Sequence, residues 1–159
     1  MKLALTPVTL RQANQLVGSH HEHNGAVRGW KFGVGVSAGD ELVGVAIVGR
    51  ALGRGIDQYL DVEITRVCIT EKGAYKNACS MLYGAACRMA AAGGYRTAYT
   101  YTLDDEDAAC VRAAGFELDA TLPARPSWDT PSLRRHDDTL FGPRKRPPGR
   151  KRRWKRALR

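Results

Sequence analysis

No stretch of the 159 residues approaches the roughly 18 consecutive apolar residues that a membrane-crossing helix needs. The opening residues, MKLALTPVTLRQANQ, lack the apolar run and small-residue cleavage site of a secretory signal. A cytoplasmic protein with no membrane partner is therefore expected. Cys68, Cys79, Cys87 and Cys110 fall at spacings that match no zinc pattern. Reduced thiols in structural roles, and no metal, follow. Repeats are missing too, and the length suits one globular core rather than two.

Acidic residues are absent from 143–159, where ten Lys or Arg stand. The net charge of +9 thus belongs to the C-terminal end, because the remaining fifteen basic and sixteen acidic residues nearly cancel. The chain divides accordingly into a roughly neutral domain over 1–141 and a basic segment over 142–159, the latter read as a free arm or as a last strand.

Lys2 to Leu5 reads as a short strand. Thr9 with Gln12 three residues on reads as a helix start, and Leu10, Ala13, Leu16 and Val17 give that helix one apolar stripe. Two β-rich runs, 31–36 and 41–50, flank Ala38-Gly39-Asp40 as a hairpin. Leu60 to Ile69 alternates as a strand, with Leu60, Val62, Ile64 and Arg66 on one face and Asp61, Glu63, Thr65 and Val67 on the other. Asn77 is placed to cap a helix over 78–92 that ends at Gly93-Gly94. A Tyr/Thr-rich strand follows over 95–103. Asp104 to Asp107 then load the start of a last helix, which Gly115 closes before a strand beginning at Phe116. The order β-α-β-β-β-α-β-α-β, with a further C-terminal strand as an option, predicts an α+β fold with a mixed central sheet flanked by helices.

Over residues 2–122 this order resembles the Gcn5-related N-acetyltransferase (GNAT) fold. The strand LDVEITRVCI, the loop and helix EKGAYKNACSMLYGAACRMAAAGGY and the stretch DAACVRAAGFEL carry the resemblance. The family's Gln/Arg-x-x-Gly-x-Gly/Ala loop is replaced here by Tyr75-Lys76-Asn77-Ala78-Cys79-Ser80, with Gly73 as the one glycine nearby. VGVAIVGR, EITRVC, KNACSMLYGAA, YTYTL and RAAGF further resemble a group of phage and prophage proteins of divergent GNAT fold, distantly similar to the adenine-modifying Mom protein of phage Mu. The resemblance implies a transferase using acetyl-CoA or another acyl-CoA. It also implies donor contacts at Val67 and Ile69 and, through the phage group, an amine of a DNA base as acceptor. Its bacterial-host setting would again be cytoplasmic.

The residues themselves offer a ligand site from Lys72 to Ser80, because the first N–H groups of a helix have no internal acceptors and the helix dipole favours an anion. Lys76 adds charge, Asn77 and Ser80 add polar groups, and Ala78 permits close approach. The alternative is that Asn77 only caps and Lys76 is only solvated. In the resembled fold Glu63 and Arg66 lie on the strand that receives the donor thioester. Glu63 would there take an amine proton, or else simply pair with Arg66. Tyr101 would protonate a leaving thiolate, or only pack. His20, His21 and His23 form an exposed polar loop, and His23 becomes a base if that loop covers the acceptor.

In the basic segment Arg144, Lys145, Arg146, Arg150, Lys151, Arg152, Arg153, Lys155 and Arg156 are candidate nucleic-acid contacts, with Trp154 stacking on a base. The opposing expectation is a last strand with Trp154 docked on the body. Trp128, with Arg125, Arg134 and Arg135, would extend the same surface. Other readings are an N-acetyltransferase for a small amine or a protein, and a non-catalytic nucleic-acid-binding module.

Overall fold

The Thr9 hydroxyl and the Gln12 side chain form a reciprocal capping box: Gln12 N–H donates to Thr9 Oγ1 at 3.2 Å and Thr9 N–H to Gln12 Oε1 at 2.9 Å. Helix α1 (Leu10–His20) starts there and buries Ala13, Leu16 and Val17, the stripe expected from its period. The computed structural model describes residues 2–20, 25–71, 73–124 and 149–158. Around α1 the order is β1 (Leu3–Thr6), β2 (Phe32–Ala38), β3 (Glu41–Arg50), β4 (Asp61–Ile69), α2 (Ala78–Ala92), β5 (Thr97–Leu103), α3 (Ala109–Ala113), β6 (Glu117–Leu122) and β7 (Lys151–Ala157). Among the described residues no helix is long and apolar enough to cross a membrane.

One sheet contains all seven of these strands, in the order β1-β2-β3-β4-β5-β7-β6. Its β4–β5 pair is parallel and joined through α2, while every other neighbouring pair is antiparallel. Helix α2 covers one face, where Leu82, Ala86 and Ala90 meet Val36, Val48, Val62 and Ile64. On the other face α1 packs on Val45, Ile47 and Cys68. The α+β sheet-and-helix arrangement expected from the sequence is therefore present, with the optional last strand included.

Two expectations change. The register runs Ile47 to Arg66 and then Val48 to Ile64, so Thr65 is an extra residue in β4. Such a bulge turns the following side chains over. Arg66 consequently leaves the face of Val62 and Ile64 and joins that of Glu63, opposite Ile47 of the α1-side core. Residues 151–157, for their part, are a strand inserted between β5 and β6. Trp154 is 4% exposed and donates its indole N–H to Thr102 Oγ1 at 3.0 Å. A ring held inside the fold has no face to offer a base, which corrects the stacking role.

Candidate active site

Strands β4 and β5 pair over only three positions, Asp61 to Thr97, Val62 to Ala98 and Glu63 to Tyr99. Beyond Glu63, β4 continues against β3 alone and β5 against β7 alone, so the sheet opens between them. The buried Thr100 hydroxyl donates to Ile64 O at 3.0 Å just past the last pair. It closes the base of the opening by satisfying a carbonyl that the departing strand leaves without a ladder partner. On the separated part of β4, Val67 and Ile69 pack toward the core beneath α2.

On the opposite face, Glu63, Tyr99 and Tyr101 stand at the mouth of this opening, beside Arg66. Burial pushes the Glu63 carboxyl above its ordinary range, against the opposing pull of the Leu52 N–H at 3.4 Å and the Arg66 charge. Arg66 is itself lowered by burial; its guanidinium donates to Thr65 O at 2.7 Å and to Gly25 O at 3.2 Å. The segment after the histidines is thereby anchored to β4, with Asn14 clamping Val27 through two 2.8 Å bonds. Burial raises the Tyr101 hydroxyl, and Glu63 adds to the rise. The Arg153 charge nearby pulls the other way. A Cβ at Gly53 would lie 3.2 Å from the Tyr101 oxygen, which marks how closely the 51–60 loop approaches.

At the start of α2 the structure alters one detail of the sequence reading. Asn77 occupies the cap position in the left-handed region, φ 67°, and its side chain makes no capping hydrogen bond. Ser80 Oγ donates to Asn77 O at 3.1 Å. The helix therefore begins with no side-chain oxygen closed over its N–H groups, an arrangement that suits an incoming anion. Lys76 is exposed there and Ala78 is fully buried. From this point a groove of about 440 Å³ runs between α2 and the end of α3, lined by Asn77, Ser80, Met81, Gly84, Arg88, Ala113, Ala114, Gly115 and Arg156. Gly84 and Arg88 were not anticipated, although their spacing from Asn77 and Ser80 follows one helical stripe. Uncapped N–H groups, a small-residue wall and two cations fit a phosphate-bearing ligand such as an acyl-CoA.

The basic strand is largely engaged within the fold. Arg153 and Lys155 hold Asp119 at 2.6 and 2.8 Å, and the Arg153 guanidinium lies 5.8 Å from the Tyr99 ring centroid. Arg152 donates to the carbonyls of Leu103 and Glu106, and Arg156 to Ala114 O at 2.6 Å. Lys155, Arg153 and Lys151 pair in register with Tyr99, Tyr101 and Leu103 and alternate onto their face, whereas Arg152, Trp154 and Arg156 face the α2 and α3 side. Arg150 is exposed. His20 Nδ1 lies 3.2 Å from Leu16 O. His21, His23, Lys72, Arg125, Trp128, Arg134, Arg135, Arg144, Lys145 and Arg146 lie outside the described residues. Among the described residues no cluster of three His, Cys, Asp or Glu is placed to hold a metal.

No protein-family model and no curated protein sequence matches the chain. Solved structures do. The ribosomal-protein-S18-alanine N-acetyltransferase from Escherichia coli superposes with a TM-score of 0.67 at 9% identity, over 99% of this chain and 94% of that one. A Bacillus subtilis acetyltransferase in complex with CoA gives 0.66 at 16% identity, over 99% of both chains. An acetyltransferase of GNAT family from Streptococcus pneumoniae gives 0.66 at 10% identity, over 99% and 100%. The fold is that of GNAT acetyltransferases. At these identities the likeness is one of fold.

Proposed function

We propose that the protein is an acyl-CoA-dependent N-acyltransferase. The observation that carries this reading is the juxtaposition of Glu63 and Tyr101 at the mouth of the β4–β5 opening, with the uncapped start of α2 on the far face of the sheet. An acyl-CoA supplies an activated acyl thioester. The α2 N-terminus, Lys76 and Ser80 bind its phosphates, the groove past Gly84 takes the remainder of the nucleotide, and Val67 and Ile69 flank the arm that enters the opening. Glu63, whose raised pKa makes it a stronger base than an ordinary carboxylate, accepts the proton of the attacking amine. Tyr101 gives its proton to the departing thiolate, and the Arg153 charge beside it helps to stabilise the phenolate that results.

The acceptor we propose is an amine of a nucleic-acid base, in DNA, as the resemblance to the phage group implies. One observation favours it: Lys151, Arg153 and Lys155 stand on the face that carries Glu63 and Tyr101, and the charge left there after Asp119 and Glu117 offset part of it would draw a polyanion to the acceptor side. Incubation with acetyl-CoA and DNA, digestion to nucleosides and mass spectrometry should reveal a base heavier by one acetyl group. Unmodified DNA together with acetylation of polyamines or peptides would move the acceptor to a small amine or a protein. Salt-sensitive DNA binding without any acyl-CoA binding would leave a non-catalytic module.

A further inference from the structure

Two thiols that the proposed chemistry does not use are brought together between α2 and α3. Cys79 lies in the first turn of α2 and Cys110 in α3, and their Sγ atoms are 2.9 Å apart. Both are half-buried, whereas Cys68 and Cys87 are buried. A disulfide requires an S–S separation near 2.05 Å, so closing this pair asks for a sulfur approach of about 0.9 Å. That is within the reach of side-chain torsions and needs no rearrangement of either helix.

The chemistry of the pair is asymmetric. The Cys79 thiol donates to the Cys110 sulfur, and this hydrogen bond, assisted by backbone N–H groups, brings Cys110 down to about 7. Near neutral pH Cys110 is therefore the attacking thiolate and Cys79 the resolving thiol.

We propose that Cys79 and Cys110 form a reversible disulfide that ties α2 to α3. With glutathione disulfide as oxidant, the Cys110 thiolate attacks one glutathione sulfur, an S–S bond to the protein forms and one glutathione thiolate leaves. Cys79 then loses its proton to solvent and attacks the Cys110 sulfur; the protein disulfide forms and the second glutathione leaves. Two protein thiols are oxidised and one glutathione disulfide is reduced to two thiols. The bond joins the two walls of the groove that Gly84 and Ala113 line, closing a loop of about thirty residues in the unfolded chain.

The test is to equilibrate the full chain in reduced and oxidised glutathione under native conditions, quench with acid, digest without reduction and map the cysteines by mass spectrometry. Cys79–Cys110 linked peptides are expected to grow with the oxidised fraction and to vanish on dithiothreitol treatment, while Cys68 and Cys87 stay alkylatable. Oxidation should raise Tm by about 5 °C or more. In Cys79→Ser, Cys110 should stop as the glutathione adduct and the rise in Tm should disappear. Wild-type Cys79 and Cys110 that remain thiols, stop at glutathione adducts, or pair with Cys68 or Cys87 would overturn the proposal, whatever the stability of the variant.

Discussion

The Thr100 hydroxyl reaches across from β5 to the carbonyl of Ile64 at 3.0 Å, one position beyond the last ladder pair between β4 and β5. It also acts on the buried Tyr83 hydroxyl, opposing the larger upward push of burial there.

Thr100→Val keeps the shape and removes the bond to Ile64 O. Stability should fall by about 1–3 kcal/mol, read by urea unfolding with an unchanged m-value. A neutral substitution would mean that the opening is not held closed at its base by this bond.

Glu63 has a raised pKa from burial. An acid whose folded pKa lies above its unfolded value costs the fold nothing below the unfolded pKa and loses stability as pH rises through the folded one. Glu63→Gln should therefore be as stable as the parent at pH 7, or more so. Its kcat should nonetheless fall by about 10²-fold or more, and the acid limb expected of the parent's kcat/KM profile should disappear. A retained limb would assign the base elsewhere.

Gly84 lines the groove, and an added Cβ would meet only the far end of the Arg88 side chain, at 3.3 Å. Gly84→Leu should stabilise α2 by about 0.5–1 kcal/mol through helix propensity. It should also weaken acetyl-CoA binding by about tenfold or more, ~1.4 kcal/mol. Undiminished affinity in calorimetry would move the donor out of the groove.

Asp119 receives both Lys155 and Arg153, and the Lys155 hydrogen bond leads in holding its carboxyl below the ordinary value. Its contribution to stability is present above the unfolded pKa and is lost as pH falls through the folded one. Asp119→Asn should lower Tm by about 2–6 °C at pH 7, and the difference from the parent should shrink in acid. Trp154→Ala should cost about 3–5 kcal/mol. Deleting residues 149–159 would remove a central strand, so the charge of this face is better probed by Lys155→Gln than by truncation.

The order of elements was legible because its signals are local: the Thr9–Gln12 capping box, the Gly39 turn, the α2 run closed by Gly93-Gly94. Arg66 was assigned to the wrong face because a bulge at Thr65 is set by the partner strand's register, which alternation within β4 alone does not reveal. Asn77 marked the helix start correctly by position, while its left-handed backbone, rather than a side-chain cap, is what the loop requires. The basic segment leaves an arm and a last strand both open, and the strand is the one realised. Six cations in 150–156 look like a solvated arm, yet their alternation about Trp154 is that of a strand whose charges meet Asp119 and the carbonyls of Leu103, Glu106 and Ala114. Cys79 and Cys110 were invisible as a pair, since only the packing of α2 on α3 brings them together.

The most direct measurement is a calorimetric titration of the purified, reduced chain with acetyl-CoA. Saturable one-to-one binding is expected, weakened by Gly84→Leu and left intact by Glu63→Gln. Absence of measurable heat and of any rise in Tm with acetyl-CoA, in a chain that remains folded, would contradict it.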